Sequence, residues 1–100
     1  MLAPGCRSHQ IAVTVENRTG TAIRLLEVDY PNASFGADSL AAGQTTRSSI
    51  QVLGSGPVKV EYTAADRHQA QITGPGLVEK QEGQLQIVLL PEDKAEFHLH

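Results

Sequence analysis

Two imidazoles sit one residue apart near the end of the chain, His98 and His100, with Glu96 two positions upstream. On an extended strand, residues i and i+2 point to the same side, so all three would share a face. Two ring nitrogens and a carboxylate oxygen are a ligand set that a single metal ion accepts. The same residues also describe the wet side of a C-terminal edge strand, and a metal centre normally adds a third or fourth ligand oriented by outer hydrogen bonds. A solvated edge is the expectation, with a small metal-binding protein using His98, His100 and Glu96 as the alternative. His9 and His68 are too distant in sequence to be placed beside them.

Other chemistries find little footing. No Gly-x-Ser-x-Gly elbow occurs, and Gly54-Ser55-Gly56 is turn material. Cys6 has no fixed base near it in sequence. The acidic pairs Glu92-Asp93 and Glu79/Glu82 lie beside turns, where nothing would desolvate them. Gly74-Pro75-Gly76 opens no helix whose N-terminus could bind a phosphate. No enzyme and no cofactor are therefore expected. The two asparagines head formal glycosylation sequons, Asn17-Arg18-Thr19 and Asn32-Ala33-Ser34, and both are read as turn residues instead.

The elements that must carry these residues follow from periodicity. Of 100 residues, 23 are Val, Ile or Leu and four are aromatic, so a core has to be built from branched aliphatics. Period-two alternation recurs along the chain, which predicts strands rather than helices. Ile11, Val13 and Val15 share one face of a first strand. A second, from Ala22 to Tyr30, starts with Ile23 and Leu25 inward and then changes phase to Leu26, Val28 and Tyr30, which one extra residue near Leu25 and Leu26 would explain. These two strands, joined by Arg18 to Thr21, are expected to form a hairpin. Residues 33–43 are expected to be irregular, with a short strand around Ser34 to Gly36 and Leu40 plugging the core.

Thr46, Ser48, Ile50 and Val52 mark the next strand. Val58, Val60 and Tyr62 mark another, which pairs through a second hairpin with His68 to Thr73. Gly74-Pro75-Gly76 is expected to interrupt regular structure, leaving Leu77-Val78 as a short edge piece. Leu85, Ile87 and Leu89, with Val88 and Leu90 on the opposite side, predict a central strand covered on both faces. Phe97 and Leu99 alternate with Glu96, His98 and His100 on the last. Outward-facing glutamines (Gln51, Gln69, Gln71, Gln84, Gln86) promise an uncharged polar sheet face. Seven or eight strands with a turn signal every 8 to 12 residues predict an all-β, antiparallel two-sheet sandwich.

Charge and cysteine usage narrow the partners. The net charge is −3, and the eight Lys and Arg are scattered, so no basic stripe would displace counterions from phosphates and nucleic acid is not expected as a partner. A single cysteine excludes an internal disulfide, and no apolar run approaches the ~18–20 residues that span a bilayer.

The order of turns supplies a resemblance. A strand ending in Asn17-x-Thr19-Gly20, a second strand, and then Leu40-Ala41-Ala42-Gly43 before a third long strand resemble the small immunoglobulin-like β-sandwich modules of bacterial envelope proteins, over roughly residues 10 to 90. Ala42 stands where such modules usually carry Pro, and the Trp and Cys pair of antibody-type domains are lacking. The resemblance implies an immunoglobulin-like sandwich serving as a non-catalytic binding or structural module, its partner another envelope protein. Leu2-Ala3-Pro4-Gly5-Cys6 is similar to the end of a bacterial lipoprotein signal, which would make Cys6 the lipidated residue, residues 1–9 a flexible tail or tether, and residues 10–100 the sandwich. The location expected is the cell envelope, periplasmic or membrane-anchored.

Overall fold

A computed structural model of the chain describes residues 9–100. Within them the protein is all-β: β1 (Ile11–Asn17), β2 (Ile23–Tyr30), β3 (Ala33–Leu40), β4 (Thr45–Ile50), β5 (Gly56–Thr63), β6 (Gln69–Leu77), β7 (Gly83–Leu90) and β8 (Lys94–Leu99), with no helix among the described residues. Two four-stranded sheets face each other, in the orders β4-β1-β7-β8 (sheet A) and β3-β2-β5-β6 (sheet B). Neighbours pair antiparallel except β1 and β7, which run parallel from Ile11 opposite Gly83 to Asn17 opposite Leu89.

The space between the sheets is filled as the alternation predicts. Ile11, Val13, Val15, Leu85, Ile87 and Leu89 descend from sheet A, and Ile23, Leu26, Val28, Val58, Val60 and Tyr62 rise from sheet B, all at 3% exposure or less. Leu40 and Val52 are buried in the same cluster. Each large aliphatic side chain moved out of water contributes ~1.5–3 kcal/mol, so this shared layer is what binds one sheet to the other. On β7, Val88 is also buried, although it points to the other side of the strand from Ile87 and Leu89. The strand read from Gln84 to Leu90 is therefore central, flanked by β1 and β8, but the cover expected on its second face is complete only at Val88, Gln84 and Gln86 being exposed.

Two expectations of local irregularity resolve into bulges. Between β2 and β5 the register moves from Arg24 opposite Thr63 to Glu27 opposite Glu61, leaving Leu25 and Leu26 together across from Tyr62. Leu25 adopts φ +53° and turns out to solvent, which flips the inward phase from Ile23 to Leu26 and Val28. The bulge lies where the change of phase predicts it, but Leu25, expected inward with Ile23, points outward at 64% exposure. The second bulge was not foreseen: Gly74-Pro75-Gly76, expected to break regular structure, lies inside β6, where Pro57 faces Gly76 and Lys59 faces Thr73. Because β6 is an edge strand, the missing Pro75 N–H and the extra residue are both tolerated. Leu77 is the buried last residue of β6, not a separate piece.

Two further expectations are corrected. Residues 33–40 form a full eight-residue strand, β3, paired along the whole of β2. The expected short strand around Ser34 to Gly36 is thus only part of it, and the alternation hides the rest because the inward side chains change phase: Phe35 and Ala37 are odd-numbered and Leu40 even, so the kink of β2 is passed to its neighbour. Strands β1 and β2 form no hairpin. They lie in different sheets, and both flanks of β1 are taken by β4 and β7. Alternation reports which face is buried and is silent on which strand lies alongside.

Candidate functional site

The outward side chains of sheet A are aligned by strand register into rows. Arg47, Thr14, Gln86 and His98 lie side by side across the four strands, as do Thr45, Glu16, Val88 and Glu96. A third row runs Ser49, Ala12, Gln84, and ends at His100, whose backbone N–H donates to the Gln84 carbonyl at 2.8 Å. A shallow hollow of about 720 Å³ follows this face, lined among others by Thr14, Arg47, Ser49, Gln84, Gln86 and His100. Its groups are mostly uncharged donors and acceptors held 4.7–4.9 Å apart from strand to strand.

The C-terminal trio is divided by the structure. The His98 ring Nε2 and Glu96 Oε1 are 3.2 Å apart on the exposed edge, while His100 lies at the end of the strand beside Gln84. Among the described residues, no group of three His, Cys, Asp or Glu side chains is arranged to hold a metal ion. Cys6, the residue read as lipidated, lies outside the described residues. The glutamines expected to share one face are split: Gln84 and Gln86 belong to sheet A, whereas Gln71 is on sheet B, its amide donating to Glu61 at 3.1 Å.

A second cluster, at the end where β5 turns into β6 and β7 into β8, was not foreseen. The ring of His68 lies between two carboxylates, its Nδ1 on Asp66 of its own turn and its Nε2 2.8 Å from Asp93 of the other. Ionised carboxylates only accept, so both contacts are hydrogen bonds together only when the ring carries both protons, and the site therefore favours the cationic imidazolium. In keeping with this, the Asp93 contact, followed by that of Asp66, raises the His68 pKa. Asp66 is held low, first by the His68 backbone N–H at 3.1 Å and then by the ring. Tyr62 is pushed up by burial and by the nearby Asp93 charge. These groups border a recess of about 290 Å³ shared with Thr19, Thr21 and Leu90. The hairpin that returns the chain at His68 was legible in the sequence; the approach of Asp93, 25 residues on, was not.

Asn17 explains the turn beside this recess. Its side chain is fully buried and saturated: Nδ2 donates to the carbonyls of Thr21 (2.8 Å) and Leu40 (2.9 Å), and Oδ1 accepts from the Thr19 N–H (3.0 Å) and hydroxyl (2.7 Å). Its own backbone binds Gln44 and Gly43 of the β3–β4 connection. The first sequon is thus a structural knot joining three segments. Asn32, of the second, is exposed and adopts φ +76° in the β2–β3 turn, a conformation asparagine tolerates. At the opposite end of the sandwich, His9 pairs with Glu82.

No family model and no curated protein matches the chain. Among solved structures, the NMR structure of a protein from Eubacterium rectale is similar, with a TM-score of 0.65 at 16% identity, covering 99% of this chain and 94% of that one. At that identity the likeness is one of fold alone.

Proposed function

We propose that the chain is a non-catalytic binding module of the bacterial cell envelope, docking another envelope protein on the outer face of sheet A. The observation that carries this reading is the register of that face, whose rows of Thr, Ser, Gln and His side chains offer donors and acceptors along a shallow hollow in which Arg47 is the one charged lining residue. Polar, weakly charged surfaces of this kind suit protein contact, where orientation comes from hydrogen bonds. Lipidation of Cys6 would tether the sandwich through a short N-terminal leader.

An immunoglobulin-like ancestry is supported by strand order. Strands β1 to β6 follow the sequence of an immunoglobulin sandwich from its B strand onward: β4 beside β1 corresponds to E beside B, and β2-β5-β6 to C-F-G. The β7–β8 hairpin then occupies the place of the A strand, with β7 parallel to β1.

The test is site-specific photocrosslinking in the native host. A crosslinking residue at Gln86 is expected to capture a discrete protein, and one at Gln71 on sheet B is not; no product from Gln86, or equal products from both, would overturn the reading. Labelling with an alkyne fatty acid that disappears in Cys6→Ser tests the tether. The second reading is metal binding at the C-terminal strand, and the pairing of Glu96 and His98 on one face favours these two as ligands, with His100 not gathered beside them. It predicts heat on calorimetric titration with Zn²⁺ or Cu²⁺ that is lost in His98→Ala, and a flat titration removes it.

A further inference from the structure

Of the four edge strands, β3, β4, β6 and β8, only β8 carries both an acid and bases among the described residues. The charged residue of β3 is Asp38, that of β4 is Arg47, and β6 has none and contains Pro75. Strand β8 reads Lys94, Ala95, Glu96, Phe97, His98, Leu99.

Its backbone polarity follows from the ladder with β7. His100 and Gln84 exchange N–H···O bonds, at 2.8 and 3.4 Å. In an antiparallel pair such bonded positions alternate with unbonded ones, so His98 with Gln86 and Glu96 with Val88 are also bonded pairs. The N–H and C=O groups of Ala95, Phe97 and Leu99 therefore point away from β7, along the open edge. The same three side chains turn inward and are only half buried, packed against the margin of the core. The edge thus offers three outward backbone donor–acceptor sets above an apolar strip, with Glu96 and His98 on the solvent face.

We propose that β8 pairs with β8 of a second copy of this chain, antiparallel about a two-fold axis at Phe97, joining the two A sheets into one of eight strands. That register uses the outward backbone groups in full. Phe97 would bond with Phe97 of the second copy, and Ala95 with Leu99 in both directions, giving six backbone hydrogen bonds. Each Glu96 would face the other copy's His98 in an unbonded pair, where cross-strand side chains come closest, with Cβ atoms ~4.5–5.5 Å apart. The neighbouring symmetric registers lack this complementarity. Centring on Glu96 sets the two carboxylates opposite each other, and centring on His98 sets the two imidazoles opposite each other. Ala95, Phe97 and Leu99 would meet their counterparts on the inner side and extend the apolar layer across the joint. An isologous contact of this kind closes at two copies, so it caps the exposed edge without propagating. The pairing requires nothing of the envelope reading and can hold or fail independently of it.

Sedimentation velocity of the full chain tests the state, and disulfide trapping in a Cys6→Ser background tests the register. A dimer is expected at high micromolar concentration. Ala95→Pro deletes an N–H that β7 does not use, and should leave a folded monomer by circular dichroism. Glu96→His alone should weaken the dimer at least tenfold, while the exchange Glu96→His with His98→Glu restores it, because the pairing is reciprocal. In oxidised mixtures of Glu96→Cys and His98→Cys chains, the mixed disulfide should exceed either homodimer. A monomeric wild type, an unaffected Ala95→Pro dimer, or a preponderance of the Glu96→Cys or His98→Cys homodimer would overturn the proposal.

Discussion

Asn17 is a polar residue at 0% exposure whose every side-chain hydrogen-bonding position is filled. Removing it leaves the Thr19 N–H without its acceptor and takes a donor from the buried Leu40 carbonyl and from that of Thr21, which keeps only the Thr19 hydroxyl, and a buried group left unpaired costs more than the bond itself gained. Asn17→Ala is expected to lower unfolding stability by about 2–4 kcal/mol in urea titrations, whereas the exposed Asn32→Gly should change it by less than ~0.5 kcal/mol, since Gly accepts the same positive φ. For the same reason Asn17 is closed to a glycosyltransferase once the chain has folded. The His68 clasp gives a pH signature. Its folded pKa is raised above the ordinary 6.5, so its stabilisation is complete below that value and is lost as pH rises through the higher folded value. Asp66 is lowered from 3.8, so its share is present above 3.8 and is lost as pH falls through the lower folded value. Urea midpoints should therefore peak between about pH 4 and 6.5 from this clasp, and His68→Gln should flatten the decline on the alkaline side. An unchanged slope in that variant would refute the assignment.

At the scale of elements, glycines mark where strands approach too closely for a side chain. In β3 a Cβ on Gly36 would fall on the backbone carbonyl of Leu26, at the bulge of β2. The obstacle is main chain and cannot swing aside, so Gly36→Ala is expected to cost about 3 kcal/mol or to shift the β2–β3 register. Chemical-shift changes centred on Leu25 and Leu26 would report the second outcome. Gly74 differs in kind. A Cβ there would come within 2.6–2.8 Å of the Phe97 ring, which reaches across from β8 to cover β6. Gly74→Ala should cost about 1–3 kcal/mol in the wild-type background and almost nothing added to Phe97→Ala, a coupling that a double-mutant cycle measures directly. Of these elements, the bulge at Leu25 and Leu26 was legible because the apolar phase visibly flips there. Of strand β3 only the short piece around Ser34 to Gly36 was, because the strand inherits that flip and offers mostly Ser, Gly and Asp between its inward residues.

The molecule as a whole closes on itself through β1 and β7. Their parallel pairing joins positions some 70 residues apart, and both sheets drain into one apolar layer. Truncating Ile87, fully buried on central β7, should remove about 2–5 kcal/mol. Because that layer is common to both sheets, the loss should appear equally in the fluorescence of Tyr30 and Tyr62, both on sheet B, and in the far-ultraviolet circular dichroism of the whole chain. Separate transitions would mean that the sheets unfold independently. The inward set was legible almost residue for residue, from Ile11 through Leu89, since burial on a pleated strand depends only on parity along the chain. Parity also placed Glu96, His98 and His100 on the wet side of a terminal strand. Which strand neighbours which, that β1 joins β4 and β7 rather than β2, and that Asp93 reaches His68, are decided by loops crossing between layers and by contacts far apart in sequence. A local pattern carries no record of these, because the energy that selects them appears only when both partners are already in place.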